Sequence, residues 1–164
     1  MKVTLALAGL ACGLVAVSAS AQEAPTLEFA FEEIVTLGEV TVPGDTAQGG
    51  RIIIPITGGT FEGPAIKGTI VPGGWDYQLR RADGCNEVKA DYFLKTDDGV
   101  VINVVNTGVI CMEGGAMKPV RTHPVFEAPR GKYEWLSQVA FVGTLEPAPP
   151  SAGSAVKIRF YRVR

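Results

Sequence analysis

The feature that most constrains this chain is a period-two alternation of apolar and polar residues, interrupted roughly every 8 to 12 residues by glycine or proline. Side chains on a strand point alternately to opposite faces, so each alternating run builds a sheet with one buried side. The densest case runs from Gly58 to Gly84, where Gly58-Gly59 and Pro72-Gly73-Gly74 punctuate two alternating segments. Glycine tolerates the positive φ angles of tight hairpins, so Pro72-Gly73-Gly74 reads as a turn joining Ile66–Val71 to Trp75–Arg80. Asp76 then falls where a strand begins, and the local pattern does not settle which face of this hairpin points inward.

The rest of the chain reads the same way. Leu27, Phe29 and Phe31 alternate with Glu28, Ala30 and Glu32 in a first strand with one buried face. Short strands follow at Glu39–Val42 and Arg51–Ile54, the latter closed by Pro55. Thr96-Asp97-Asp98-Gly99-Val100 reads as a three-residue hairpin loop with Gly99 left-handed. In that register Val88, Ala90, Tyr92 and Leu94 share a core face with Ile102, Val104 and Ile110. Val120–Ala128, Tyr133–Gly143 and a closing strand from Val156 to Val163 complete the set, with Pro147, Pro149 and Pro150 in a stiff connection. No stretch beyond the N-terminal segment shows helical period. The expected fold is all-β, a small antiparallel up-and-down barrel of about 8–10 strands, which also leaves no free sheet edge.

The N-terminus carries Lys2, an apolar run from Leu5 to Val17, and Ala19-Ser20-Ala21. That pattern is a secretory signal peptide over residues 1–21, leaving 22–164 as a single domain exported to the periplasm or medium. A lipoprotein anchored through Cys12 is the rival, but Gly9-Leu10-Ala11 sets glycine where a lipobox has leucine, and the apolar run continues past the cysteine. Cleavage removes one of 15 basic groups and none of 17 acidic ones, moving the net charge from −2 to about −3. With no basic run there is no footprint for nucleic acid. After cleavage the strands show no lipid-facing apolar band, so no membrane contact is expected, and a homo-oligomer stays open. Cys85 and Cys111 remain. The register that sets Thr96 opposite Val100 sets these two opposite each other on a non-hydrogen-bonded pair, close enough for a disulfide.

Gly59-Thr60-Phe61-Glu62-Gly63-Pro64, Pro72-Gly73-Gly74, Asp76, Thr96-Asp97-Asp98-Gly99, Arg121-Thr122, Pro124, Phe126-Glu127 and Tyr133-Glu134-Trp135-Leu136 occur in one order along most of the chain. In these residues the chain resembles the DUF3237 family, also called UPF0311. The resemblance implies a calycin-like or lipocalin-like barrel, soluble and either cytoplasmic or exported, and supplies no reaction. Val120 stands where the family often has an aromatic residue, and Ser137 where it often has asparagine.

The candidate chemistry rests on few residues. Asp76 lies between Trp75 and Tyr77, where a carboxyl group can have a raised pKa and serve as general base or ligand acceptor; the plainer role is to steady a turn or pair with Arg80 or Arg121. Arg121, His123 and Glu127 alternate along one strand, so arginine can clamp an oxyanion and histidine can shuttle a proton, or all three form an exposed charged row. Trp75, Tyr77, Tyr92, Tyr133 and Trp135 either line a cavity or fill the core. A single histidine and no His/Cys cluster give no metal site, no cofactor motif is present, and Gly58–Gly63 lacks the Gly-Lys-Ser/Thr end of a phosphate loop. Three functions fit: an exported barrel binding a small, partly apolar ligand that can be anionic, through Asp76, Trp75, Tyr77, Arg121, Glu127, Tyr133 and Trp135; a cofactor-free isomerase, cyclase or lyase using Asp76 or His123 beside Arg121; or an interaction domain with a filled interior.

Overall fold

The computed structural model describes residues 23–164, so the signal-peptide expectation lies outside the described residues. Eight long strands form an antiparallel meander: β1 (Leu27–Leu37), β3 (Gly49–Glu62), β4 (Lys67–Arg80), β5 (Asn86–Thr96), β6 (Val101–Ile110), β9 (Val120–Glu127), β10 (Phe141–Pro147) and β11 (Ala155–Val163). Each pairs with the next, and β1 pairs with both β11 and β3, which closes the barrel. β2 (Thr41–Thr46) lies along the N-terminal half of β3, while β7 (Met112–Glu113) and β8 (Ala116–Met117) make a small separate hairpin.

The Gly58–Gly84 stretch differs from the expected pair of turns. β4 runs unbroken through Pro72-Gly73-Gly74, and β3 runs through Pro55 and Gly58-Gly59. Against β5, Val71 pairs with Phe93 and Trp75 with Asp91, so β4 spends four steps where β5 spends two. Against β1, β3 gains one residue between Ile56 and Gly58. The two glycine-rich segments therefore form a double bulge on neighbouring strands, a corner where the sheet bends into a closed barrel. Glycine is required there: a Cβ on Gly59 would stand 2.0 Å from the Ile34 carbonyl oxygen, and one on Gly74 would stand 2.4 Å from Tyr92 Cβ. The actual β3–β4 turn is at Gly63–Ile66, closed by the Gly63 N–H donating to the Ile66 carbonyl at 2.8 Å.

Two other expectations are corrected. In β1, Phe29 pairs with Tyr161 and Phe31 with Phe160, so Ala30 is a bulge that turns Leu27 and Phe29 outward and Phe31, Glu33 and Val35 inward. Tyr133–Gly143 is not one strand: Glu134–Ser137 is a short 3-10 helix and β10 begins at Phe141. The helix seats Leu136 over one end of the barrel.

That end is filled. Phe31 packs against Phe61, Phe126 and Phe160 at centroid distances of 5.8, 5.7 and 5.0 Å, and Phe126 meets Phe141 edge-on at 4.9 Å. Asp98 in the β5–β6 loop holds the plug in place, accepting from Lys132 Nζ at 2.8 Å and from the Tyr133 hydroxyl at 2.9 Å. The loop has the expected form, with Gly99 at φ 87° and the Thr96 amide donating to the Val100 carbonyl at 2.9 Å. The β5–β6 register holds to its far end, where Cys85 and Cys111 form a disulfide with Cα atoms 4.4 Å apart. A disulfide fits a non-cytoplasmic environment. No helix among the described residues is long and apolar enough to cross a membrane.

Candidate functional site

The opposite end, where β4 and β6 finish and β5 and β11 begin, is not filled. Smaller inward residues on these strands leave a cavity of about 170 Å³, walled by aliphatic side chains such as Val35, Ile56, Val88 and Ile158. Half-buried Leu37, Ile54, Ile110, Leu145 and Val156 form its rim. Inward positions of four neighbouring strands add polar groups: Asp76 and Gln78 from β4, Tyr92 from β5, Asn106 from β6 and Thr122 from β9.

These groups are incompletely paired. Gln78 Nε2 donates to Asp76 Oδ2 at 2.7 Å, and Asn86 Nδ2 donates to Gln78 Oε1 at 3.3 Å. Asp76 Oδ1, Asn106 Oδ1 and Thr122 Oγ1 are buried without a partner in the protein. Beneath them Glu33, 1% exposed, has its Oε1 hydrogen-bonded to the Tyr92 hydroxyl, while its Oε2 has no partner. Buried polar atoms are nearly always bonded, so the three orphans on cavity-lining residues Asp76, Asn106 and Thr122 set this end apart from the filled one. Burial raises the pKa of Asp76, with Gln78 and the Lys89 backbone amide pulling the other way. Burial also pushes Glu33 up to about 8 against the pull of Tyr92, and raises Tyr92 well above 10.

The structure separates the residues expected to act together. Asp76 faces the cavity, but its neighbours Trp75 and Tyr77 point out through the other side of the wall, 43% and 48% exposed. Trp75 and Tyr77 line an outer groove with Glu127 and Phe93. β9 continues straight through Pro124 with Val120, Thr122, Pro124 and Phe126 inward, so Arg121, His123 and Glu127 are all outside. Arg121 and Asp76 are thus on opposite sides of the barrel wall and do not converge. Tyr133 and Trp135 belong to the plugged end, Tyr133 bonded to Asp98 and Trp135 packed on Phe141. No basic side chain lines the cavity, which removes the basis for expecting an anionic ligand. The sequence reading passed over Glu33, Gln78, Asn106 and Thr122. Asn106 and Thr122 carry a readable signal, each being a polar residue on an otherwise apolar alternating face.

A meander of eight antiparallel strands, plugged by aromatics at one end and holding a polar-floored cavity at the other, is a small closed β-barrel. The chain belongs to the DUF3237 family, described as a protein of unknown function, which matches residues 25–163. The UPF0311 protein RPA1785 of Rhodopseudomonas palustris is 37% identical over 135 residues, covering 73% of this chain and 88% of that one. A solved β-barrel-like protein from Acinetobacter baumannii superposes with TM-score 0.80 at 30% identity, covering 88% of this chain and all but 1% of the other (99%). The hydroalkoxylation enzyme phnH of Penicillium herquei is 28% identical over 163 residues, covering 99% of both chains.

Proposed function

We propose that the interior cavity is the active site of an acid/base enzyme acting on a small, neutral, largely apolar molecule, with Asp76 as the proton-transfer group. The observation that carries this is the set of unpartnered buried polar atoms around one aliphatic cavity, with the Asp76 carboxyl among them. A carboxylate with a raised pKa is a stronger base than an exposed one, and positioned proton transfer of this kind contributes roughly 10²- to 10⁴-fold to rate. The hydroalkoxylation named for the fungal relative fits such a site. A substrate hydroxyl gives its proton to Asp76 as its oxygen bonds to one alkene carbon; Asp76 then delivers that same proton to the other alkene carbon, which restores the carboxylate. The aliphatic walls and the anchoring of Asp76 Oδ2 by Gln78 also support a second reading, a carrier that binds the same molecule without turnover. The signal-like residues 1–21 and the disulfide support export to the periplasm or medium.

Native mass spectrometry of protein taken from its own extracytoplasmic fraction identifies any co-purifying molecule, which is then incubated with wild type and Asp76→Asn. Conversion by wild type, slowed about 100-fold or more in a variant that still binds, is the expected result. Equal conversion by the variant would remove Asp76 from the chemistry, and a molecule returned unchanged by wild type would make the barrel a carrier.

A further inference from the structure

Beneath the cavity, the Glu33–Tyr92 pair has no part in the chemistry assigned to Asp76. Glu33 occupies an inward position between Phe31 and Val35 on β1, opposite Phe61 of β3 and Ile158 of β11, none of which can bond it. Its single partner is the Tyr92 hydroxyl, which reaches it across the barrel from β5. Tyr92 lines the cavity and Glu33 does not. A buried carboxyl costs stability, and aliphatic packing at position 33 would avoid that cost. The one thing the glutamate does is meet Tyr92.

Only one hydrogen can lie in the bond between the two oxygens, and which group supplies it sets what the cavity sees. A protonated Glu33 donates to the Tyr92 oxygen, and the phenolic hydrogen is then free to point into the cavity. An ionised Glu33 can only accept, so the Tyr92 hydrogen turns back toward it and the cavity meets lone pairs. The unpartnered Oε2 favours the first arrangement on two counts: an ionised carboxylate would bury charge there with nothing to meet it, and a proton carried there would have no acceptor. Of the other titratable groups, Asp76 on β4 raises Tyr92, as Glu33 itself does, while Lys89, Arg121 and His123 point outward. With Glu33 pushed up to about 8 by burial, the donor state prevails at neutral pH.

Resting on the reading of the cavity as a ligand site, we infer that Glu33 is a positioning residue that turns the Tyr92 hydroxyl into a hydrogen-bond donor aimed at a ligand carbonyl oxygen. The preferred ligand then carries a carbonyl acceptor for Tyr92 as well as a hydroxyl for Asp76. A carbonyl conjugated to the reacting alkene would have its developing negative charge met by Tyr92 as the C–O bond forms.

The test uses acetophenone labelled with carbon-13 at its carbonyl, a molecule small enough for the cavity and without a titrating group. Its affinity is followed by calorimetry and its carbonyl stretch by isotope-edited infrared spectroscopy, from about pH 6.5 to about pH 9.5. In wild type, the stretch of the bound probe should be lowered at neutral pH, and affinity should fall about 10-fold or more by the upper limit as Glu33 ionises. Tyr92→Phe should lose the lowered stretch, and Glu33→Gln should keep binding while losing the alkaline fall. A wild-type affinity that is flat with pH, or a stretch unchanged in Tyr92→Phe, would overturn the inference while leaving Asp76 in place. Failure of the probe to bind at any pH would also overturn it, and the Asp76 reading would still stand on its own turnover test. The wild-type titration needs no variant to fold.

Discussion

Glu33 shows how one buried side chain links stability to pH. Burial pushes its pKa from 4.5 to about 8, so the native state holds the proton more tightly than the unfolded chain does. Below about pH 4.5 the group is protonated in both states and costs nothing by ionisation. As pH rises toward 8 the unfolded chain gains by ionising and the native state does not, so stability is lost across that window, by roughly 5 kcal/mol in full. Asp76, also raised by burial, adds to the same trend. Glu33→Gln cannot ionise, so its urea midpoint should fall less than that of wild type between about pH 5 and pH 9, and the variant should be the more stable protein at the alkaline end. Parallel midpoint curves for the two proteins would show that Glu33 is already ionised in the fold.

At the scale of elements, two devices hold the barrel's shape and each makes a prediction. The Gly58-Gly59 and Pro72–Gly74 corner brings β4 hard against β5, leaving no room for a side chain at Gly74. Gly74→Ala should therefore destabilise by about 1–3 kcal/mol through overpacking and push Tyr92 out of place, seen as a lower denaturation midpoint and an altered tyrosine spectrum. A variant as stable as wild type would mean that the corner yields. At the other end Asp98 joins the β5–β6 loop to the plug, and its hydrogen bonds from Lys132, Thr96 and Tyr133 hold its carboxyl well below the usual range. Stability from a depressed carboxyl is present above its unfolded pKa near 3.8 and lost as pH falls further. Asp98→Ala should melt below wild type at neutral pH, with the gap narrowing under about pH 3.8; a constant gap would deny the ionised contact its role. These elements were unequally legible in the sequence. The β5–β6 hairpin was readable because a three-residue loop with glycine at its left-handed position fixes register, and the disulfide followed from it. The corner was not, because glycines at positive φ serve bulges and hairpins alike, and only the partner strands' spacing tells them apart. The facing of β9 was readable in Val120-x-Thr122-x-Pro124-x-Phe126, which sends Arg121 outward; that of β4 was not, so Asp76 and Arg121 could be imagined together. Glu33 was not legible either, because the apolar alternation of Leu27, Phe29 and Phe31 stops at this charged residue, whereas β1 continues to Leu37 past the Ala30 bulge.

Over the whole molecule, the closed ladder and the disulfide do different work. Every barrel strand has two hydrogen-bonded neighbours, and Asn86 pairs with Ile110 immediately inside the Cys85–Cys111 bridge. Breaking the sulfur bond therefore leaves the native ends of β5 and β6 held by β4, β9 and each other. Its effect falls on the unfolded chain, which recovers the freedom of the 26-residue separation between the cysteines. On the chain-entropy model that freedom is worth about 3–4 kcal/mol, less where the hairpin persists in the unfolded ensemble. For a domain of this size the loss corresponds to a fall in Tm of roughly 10 °C. The Cys85→Ser/Cys111→Ser double variant should accordingly fold to the same circular dichroism spectrum and melt about that much lower. It should also bind a cavity probe such as acetophenone at 25 °C within about twofold of wild type, since the bridge stands outside the lined volume. An unchanged Tm would mean that the unfolded chain already keeps β5 and β6 together. A variant that folds normally yet loses the probe would mean that the bridge shapes the cavity mouth through Ile110, and the separation between ladder and bridge would have to be given up.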